Sequence, residues 1–382
     1  MFNRSDERKA LIHLIQQGRS ILMLAPRRIG KTWLMTKLAT DLTALGVAAV
    51  MCDVQGMDSP VDFLREICRQ IEVQEKLSGQ LEGRLRQLWS QALSKDFKDG
   101  WQTVLGHTDW ESFADLLISR LDARGTPTVI LVDELALFVN DMIQKAPDTA
   151  KKFLHCLRAL QQKYRNVRWF FTGSIGLDVV AARHGISGTL VDLELFPLEP
   201  FTPTVARAFL DSLASSPRVQ RPFVLDHDGF TRLVAELGWL SPFYLDHIAG
   251  QIRPTGPTDP AGLPSATDQD VVEAFRSLLH PQRKTYFSTW EERLTKNFPR
   301  RQGEAMRAIL GVCCIQPSGE QIDTLLTRLR VRSDGAANRA FRDNLAILAT
   351  DGYLLEVMDA DTRRYRFRSG LLRRYWHMQY GP

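Results

Sequence analysis

The sequence has few cysteines and no long apolar run, and both shortages narrow the kind of protein it encodes. Its five cysteines are odd in number and lack the spacing of metal ligands. We therefore predict a cytoplasmic protein in a reducing compartment rather than a disulfide framework. No segment approaches the ~18–20 apolar residues of a membrane-spanning helix, and no apolar core follows the charged N-terminus as it does in a secretory signal.

Lysine is missing from the last part of the chain. Residues 300–382 contain no lysine, 14 arginines and 9 acidic residues, a balance of +5 that equals the net charge of +5 of all 382 residues. The remaining residues are therefore balanced in charge. A basic C-terminal part is either a solvated surface or a face for a partner, with duplex DNA through 300–382 as the candidate.

Short apolar segments alternate with helical patterns over about residues 1–200. The patterns predict strands at 20–24, 47–53, 128–132, 168–172 and near 189–195, and helices at 31–45, 59–76, 110–123 and 147–164. A polar stretch, 77–109, is interpreted as a helical insertion. This alternation is typical of an α/β fold with a parallel sheet covered on both faces.

Two further domains are predicted beyond residue 200. Residues 201–298 show helical patterns only, interrupted by a loop or linker rich in proline and glycine at 253–267. Residues 299–382 begin with two or three helices. Two alternating strands then follow, about 352–358 and 363–368, joined by a polar turn. Helices followed by a hairpin suggest a winged helix-turn-helix domain.

The stretch LAPRRIGKTWL, residues 24–34, resembles a phosphate-binding loop. Gly30, Lys31 and Thr32 satisfy the end of the pattern GxxxxGK[ST], whereas Ala25 replaces its first glycine. A turn between a strand and a helix N-terminus supplies N–H donors for phosphate. Lys31 would contact the β- and γ-phosphates, and Thr32 would bind Mg²⁺.

The other residues of this loop are predicted nucleotide contacts. They are Pro26, Arg27, Arg28, Ile29 and Trp33. The two arginines have three interpretations: contacts with phosphate, contacts with a neighbouring subunit, or ordinary solvated side chains.

Two carboxylates follow the predicted strand 128–132. They favour a nucleotide site over a chance match to the loop pattern. Asp133 would hold the Mg²⁺ shell, and Glu134 would polarise the attacking water. Exposed pairs of carboxylates are common at strand ends. Chance alone, however, does not explain why this pair lies about 100 residues after the loop, at the end of the next strand but one. The two motifs together predict a Mg²⁺-dependent ATPase site.

A third polar residue is expected at the end of the strand 168–172, where it could sense the γ-phosphate. Thr172 and Ser174 are the candidates, and Ser174 is favoured as the catalytic residue. Arg183 lies in a basic loop after this strand and is either an arginine finger, acting in cis or in trans, or a surface arginine.

Taken together, these motifs resemble the archaeal-type (MNS-clade) STAND ATPases, relatives of the AAA+ origin-binding ATPases within the ASCE class. Five segments carry the resemblance: residues 2–7 (FNRSDE), 25–32 (APRRIGKT), 132–135 (VDEL), 238–245 (GWLSPFYL) and 365–376 (YRFRSGLLRRYW). The resemblance implies that Arg4 and Pro242 lie at the adenine side of the nucleotide. Asn3 stands where the family has a glycine.

The resemblance also implies a function, a switch that is closed with ADP and open with ATP. Its expected partners are ATP, a protein effector or client in trans and, on opening, further copies of the chain. Signalling or anti-phage defence rests on this analogy alone. The alternative functions are a DNA-binding AAA+ regulator or loader that uses the basic winged helix, and a nucleotide-binding scaffold without catalysis. No NKxD-like motif for reading guanine is present.

Overall fold

In a computed structural model, the described residues of the protein form two compact units. The structure describes residues 4–78, 105, 109–173, 177–217, 219, 221–260, 262–283, 285–296, 298–332, 334–359 and 362–381. Residues 4–24 and 31–198 make up the first, here called the sheet unit. Residues 25–30 join residues 199–382 in the second, here called the helical unit.

The sheet unit contains five parallel strands, which confirms the predicted α/β fold. They are Ser20–Leu24 (β1), Ala48–Asp53 (β2), Thr128–Asp133 (β3), Val167–Gly173 (β4) and Leu193–Pro197 (β5). Their order in the sheet is β2-β3-β4-β1-β5. All six residues of β3 are buried. An apolar run of this kind is typical of a central strand with both faces covered.

Helices flank these strands in the sequence and contribute apolar side chains to the core. They are Ser5–Gln16 (α1), Lys31–Ala44 (α2), Pro60–Ser78 (α3), Trp110–Asp122 (α4), Leu135–Lys145 (α5), Pro147–Lys163 (α6) and Leu177–Arg183 (α7). Phe63 packs edge-to-face on Phe153, with ring centroids 5.0 Å apart, and Phe138 packs on the same ring at 5.2 Å. These aromatic contacts join α3, α5 and α6 in one core.

The sheet unit differs from the sequence prediction in two places. The fifth strand begins at Leu193, because Ser187–Thr189 forms a short 3₁₀ turn where the strand was expected to start. Helix α5 was not predicted. Its first five residues are all buried, and its polar side chains come only in its second half, so the helical pattern is weak at its start. The proposed insertion at 77–109 lies largely outside the described residues.

The helical unit contains nine helices among its described residues. They are Pro203–Ala214 (α8), His227–Leu237 (α9), Pro242–Ala249 (α10), Asp268–Leu279 (α11), Thr285–Lys296 (α12), Arg300–Cys313 (α13), Ile322–Arg328 (α14), Gly335–Thr350 (α15) and Gly370–Tyr380 (α16). Val224–Leu225 (β6) and Ser265–Ala266 (β7) form a two-stranded parallel sheet, so the predicted linker 253–267 ends in a strand. No helix in the described part of the chain is long and apolar enough to cross a membrane.

The last part of the helical unit has the predicted order of helices followed by a hairpin. Strands Leu354–Asp359 (β9) and Thr362–Phe367 (β10) pair antiparallel, and the short strand Glu320–Gln321 (β8) adds to the other edge of β10. Tyr365 and Phe367 are buried on one face of β10, whereas Arg364 and Arg366, which alternate with them, are half-buried. This is the alternation of a strand with one packed face.

Buried aromatic residues stabilise this region. The hydroxyl of Tyr353 donates a hydrogen bond to the carbonyl of Trp290 at 2.6 Å, and Trp376 packs edge-to-face on the Tyr353 ring. Burial raises the pKa of Tyr353, because ionised phenolate would lose its hydration in this apolar surrounding. The turn before the hairpin is therefore tied to helix α12.

Candidate functional site

Two hydroxyl groups meet the carboxylate of Asp133 in the sheet unit. Thr32 Oγ1 donates to Asp133 Oδ2 at 2.6 Å, and Thr172 Oγ1 donates to the other oxygen, Oδ1. The side chain of Asp133 is buried, with 4% of its surface exposed, and Thr172 is fully buried. A buried carboxylate that accepts two hydroxyl donors is held in one orientation.

The strand register explains why these residues meet although they are far apart in sequence. Strands β3 and β4 are parallel neighbours, with Val132 opposite Phe171, so Asp133 and Thr172 follow at the same edge. Thr32 lies in the first turn of helix α2, which begins after β1 and the loop. The carboxyl ends of parallel strands are the edge where sheets of this type bind ligands.

Glu134 has an unusual backbone conformation. Its φ of 58° and ψ of 30° lie in the left-handed region, which non-glycine residues rarely adopt. Its N–H donates to Asp133 Oδ1 at 3.0 Å, which fixes the turn between β3 and α5. The side chain is half-buried. Residues held in such conformations often lie at functional sites, because the surrounding structure must stabilise the strained backbone.

Lys31 is the first residue of helix α2, and only 7% of its surface is exposed. Gly30, directly before it, has a φ of 92° that favours glycine over any other residue. The N-terminus of a helix carries a partial positive charge and unpaired N–H groups. Lysine at this position adds a full positive charge to a helix end that is suited to bind an anion.

The residues around Asp133 suit a magnesium ion. The Thr32 hydroxyl and the Asp133 carboxylate are hard oxygen donors 2.6 Å apart, close to the about 2.9 Å between adjacent ligands of an octahedral Mg²⁺. Magnesium commonly takes only one or two protein ligands and completes its shell with water and phosphate oxygens. Among the described residues, no group of three or more histidine, cysteine or acidic side chains could hold a metal by itself.

The loop segment 25–30 belongs to the helical unit. Ala25 and Ile29 are buried. Pro26 lies against Gly352, where an added Cβ would come within 2.6 Å of the proline Cβ. The Ser241 hydroxyl, fully buried before helix α10, donates to the carbonyl of Arg28.

The guanidinium of Arg28 is held by several groups of the same unit. It donates from Nη1 to the carbonyl of Tyr286 at 2.7 Å and from Nη2 to the hydroxyl of Thr289. Its Cζ lies 4.1 Å from the centre of the Phe243 ring and 5.4 Å from that of Trp290. Burial lowers the pKa of Arg28, because the cation loses hydration here.

The remaining predicted site residues lie in both units. Arg4 is buried in the sheet unit, has a φ of 40° and donates to Glu7 Oε1 at 2.8 Å; burial lowers its pKa. Trp33, in helix α2, is half-buried. Arg27, in the helical unit, is half-buried as well. Pro242 is the first residue of α10, a position where its fixed φ suits a helix start.

The structure does not describe the side chains of two predicted site residues. Ser174 lies outside the described residues. Arg183 ends helix α7, but its side chain is not among those described. At the end of β4 it is Thr172 whose hydroxyl contacts Asp133. Thr172 was the less favoured of the two residues that the sequence offers at this strand end.

Sequence analysis missed the residues of the helical unit that hold the loop. Ser241 and Phe243 lie within the GWLSPFYL segment, where only the proline was singled out. Thr289 and Gly352 had no motif around them. The separation of 261 residues between Arg28 and Thr289 leaves no local signal from which this contact could be inferred.

The comparisons with known proteins agree with this fold. Residues 14–180 match the family model described as an AAA domain. The chain is similar to the Walker-type ATPase PABY2304 of Pyrococcus abyssi, with 14% identity over 99% of this chain and 96% of that chain and a TM-score of 0.64. It is also similar to the Orc2 protein of Aeropyrum pernix in its ADPNP–ADP complexes, with 12% identity over 99% and 95% and a TM-score of 0.56.

At such low identities these likenesses establish the fold alone. No curated protein sequence is significantly similar to the chain. The family match covers β1 to β4, together with Lys31, Thr32, Asp133 and Thr172. The sheet unit therefore has the P-loop NTPase fold, and residues 14–180 match the family model of an AAA domain.

Proposed function

We propose that the protein binds ATP with Mg²⁺, hydrolyses it slowly and uses the exchange of ATP for ADP as a conformational switch. The observation that carries this proposal is the hydrogen-bonded cluster of Thr32, Asp133 and Thr172. Thr32 directly follows Lys31, the first residue of helix α2. Each part has a separate task in phosphoryl transfer: a cation for the phosphates, oxygen ligands for Mg²⁺ and a carboxylate for water.

In the proposed reaction, Lys31 and the N–H groups at the start of α2 bind the phosphates. Thr32 and Asp133 would hold Mg²⁺, which when bound neutralises charge on the phosphate oxygens. Glu134 follows Asp133 directly and would accept a proton from the attacking water. Thr172 keeps the Asp133 carboxylate oriented. Arg4 and Pro242 remain proposed contacts on the adenine side.

The proposed switch depends on how a bound phosphate can change the packing of the protein. A γ-phosphate can favour one conformation only through contacts that differ between the two states. We propose the helical unit as the element that responds, with residues 201–298 as a lid and 299–382 as a winged helix, in the manner of STAND ATPases. A protein effector in trans and assembly into homo-oligomers are the proposed outputs.

The mass of the full chain in solution tests this proposal. Light scattering coupled to gel filtration should give one mass or hydrodynamic radius with Mg²⁺ and ADP and a different one with Mg²⁺ and a non-hydrolysable ATP analogue. The Lys31→Ala variant is the matched control and should give the same profile with both nucleotides. Identical profiles for the wild type with both nucleotides, at saturating concentrations, would contradict the switch.

The alternative, a DNA-binding regulator, depends on the arginines of β10 and the residue after it. Contacts within the helical unit hold Arg363 and Arg368. Arg363 pairs with Glu356 at 3.5 Å, and Arg368 donates to the carbonyl of Ala349 at 3.3 Å with its Cζ 5.8 Å from the Trp239 ring. Arg364 and Arg366 are half-buried. A salt-dependent gel shift of duplex DNA by the full chain, reduced by Arg364→Ala, would favour this alternative.

A further inference from the structure

The phosphate-binding loop is held by three separate parts of the helical unit. Gly352, in the turn before the hairpin, abuts Pro26. Ser241, at the start of helix α10, donates to the carbonyl of Arg28. Helix α12 contributes the Tyr286 carbonyl and the Thr289 hydroxyl to the Arg28 guanidinium.

The backbone of the loop alternates in the sign of φ, which is the pattern of an anion-binding nest. Arg28 has a φ of 66° and Gly30 a φ of 92°, whereas Ile29 between them is outside the left-handed region. Backbone that alternates in handedness directs successive N–H groups toward one point, as phosphate-binding loops require. Arginine in this conformation is strained, so its surroundings must stabilise it.

The contacts of Arg28 provide that stabilisation. Both terminal nitrogens donate to helix α12, the ring of Phe243 covers one face, and the residue's own carbonyl accepts from Ser241. A guanidinium engaged in this way must leave these contacts before it can bind a phosphate group. The side chain and the backbone of one loop residue are thus held by two helices, α10 and α12.

We infer that Arg28 is a positioning residue, which couples the anion-binding conformation of the loop to the placement of helix α12. The inference rests on the proposed nucleotide binding. It adds the contact through which the helical unit would respond to a bound nucleotide. A loop that is held in its binding conformation loses less entropy when phosphate binds, so affinity rises. By thermodynamic reciprocity, nucleotide binding stabilises the contact between Arg28 and helix α12 by the same factor.

The test is the affinity of the full chain for ADP with Mg²⁺, measured by calorimetry on variants of the loop and of helix α12. We expect Arg28→Ala to weaken binding about tenfold or more, since it removes hydrogen bonds from a charged donor. Thr289→Val should weaken binding about threefold, and the double variant should be no weaker than Arg28→Ala alone. Thr295→Val is the matched control, because the Thr295 hydroxyl donates to the carbonyls of Glu291 and Glu292 in its own helix.

A lysine at the same position separates positioning from direct contact with phosphate. Arg28→Lys keeps the charge but lacks the planar fork that reaches Tyr286 and Thr289, so we expect it to bind ADP as poorly as Arg28→Ala. Amide hydrogen exchange in residues 285–296 should slow on ADP binding in the wild type and not in Arg28→Ala. Circular dichroism and unfolding curves establish that each variant is folded.

The outcomes distinguish this inference from the proposed function. The positioning role would be overturned if Arg28→Lys bound ADP as tightly as the wild type. It would also be overturned if Thr289→Val and Thr295→Val both bound ADP as the wild type does. Either result would leave the proposed ATP binding intact. A folded wild-type chain that binds no ADP would overturn both. Weak binding by Arg28→Ala, Arg28→Lys and Thr289→Val, with an unaffected Thr295→Val, is the result that supports the inference.

Discussion

The hydroxyl of Thr172 donates a hydrogen bond to Oδ1 of Asp133, joining the carboxyl ends of strands β3 and β4. The other oxygen of the same carboxylate accepts from Thr32 at 2.6 Å. Asp133 is therefore fixed from both sides before any metal binds. In the proposed reaction this orientation is what directs one carboxylate oxygen toward Mg²⁺ and leaves Glu134, the next residue, for the water.

Removing the Thr172 hydroxyl should affect both stability and turnover. Thr172→Val replaces the buried donor by a methyl group of similar size, so we expect a loss of about 1–2 kcal/mol in the free energy of unfolding. ATP turnover should fall about tenfold or more, because Asp133 loses one of its two hydroxyl donors. Urea unfolding and steady-state phosphate release measure the two effects. Thr172→Ser, which keeps the hydroxyl, should retain most of the activity, and equal activity of both variants would refute the role.

Lys31 and Lys37 lie on the same helix and provide a matched pair for nucleotide binding. Lys31 is buried at the first position of α2, whereas Lys37 is half-buried about 1.7 turns later. We expect Lys31→Ala to weaken ATP affinity about 100-fold, because a charged donor to phosphate is lost in a partly desolvated site. Lys37→Ala should bind as the wild type does. Fluorescence titration with a labelled nucleotide checks this, and equal affinities would contradict the assignment of Lys31.

The thiols of the chain should react slowly near neutral pH. Burial raises the pKa of Cys156 to about 11, with a smaller contribution from the negative charges of Glu111 and Asp115. The thiolate is the reactive form, so alkylation of Cys156 should rise about tenfold per pH unit between pH 8 and 10. Cys52, Cys68 and Cys313 are more deeply buried, and burial raises the pKa of each. Peptide mapping after iodoacetamide treatment measures this, and a rate that levels off near pH 8.5 would contradict it.

Much of the sheet unit could be predicted, because its signals are local. The apolar run before Asp133 and the pattern Gly30-Lys31-Thr32 both identify chain segments by themselves, and parallel pairing brings such segments to one edge. Helix α5 gave a weaker signal, since its first five residues are all buried and its polar residues come only in its second half. Strand β5 lies at a sheet edge and exposes Glu194 and Leu195, so its boundary is weakly marked.

The role of the loop arginine could not be predicted from sequence. An arginine beside a phosphate-binding motif is expected to contact phosphate, a neighbouring subunit or solvent, and none of these describes the contacts of Arg28 within its own chain. Arg28 instead meets residues from helix α12 and from the start of α10, which only the tertiary fold brings to it. Its left-handed φ is also invisible in the sequence, because arginine has no preference for that region.

Phosphate release by the wild type and by Glu134→Gln tests most directly whether this site hydrolyses ATP through Glu134. The substitution keeps the size of the side chain and removes the carboxylate that would accept the proton. We predict slow Mg²⁺-dependent release by the wild type, a loss of about 100-fold or more in the variant, and unchanged ATP affinity in a parallel titration. Phosphate release at the same rate by both proteins, with ATP bound equally well, would contradict the account.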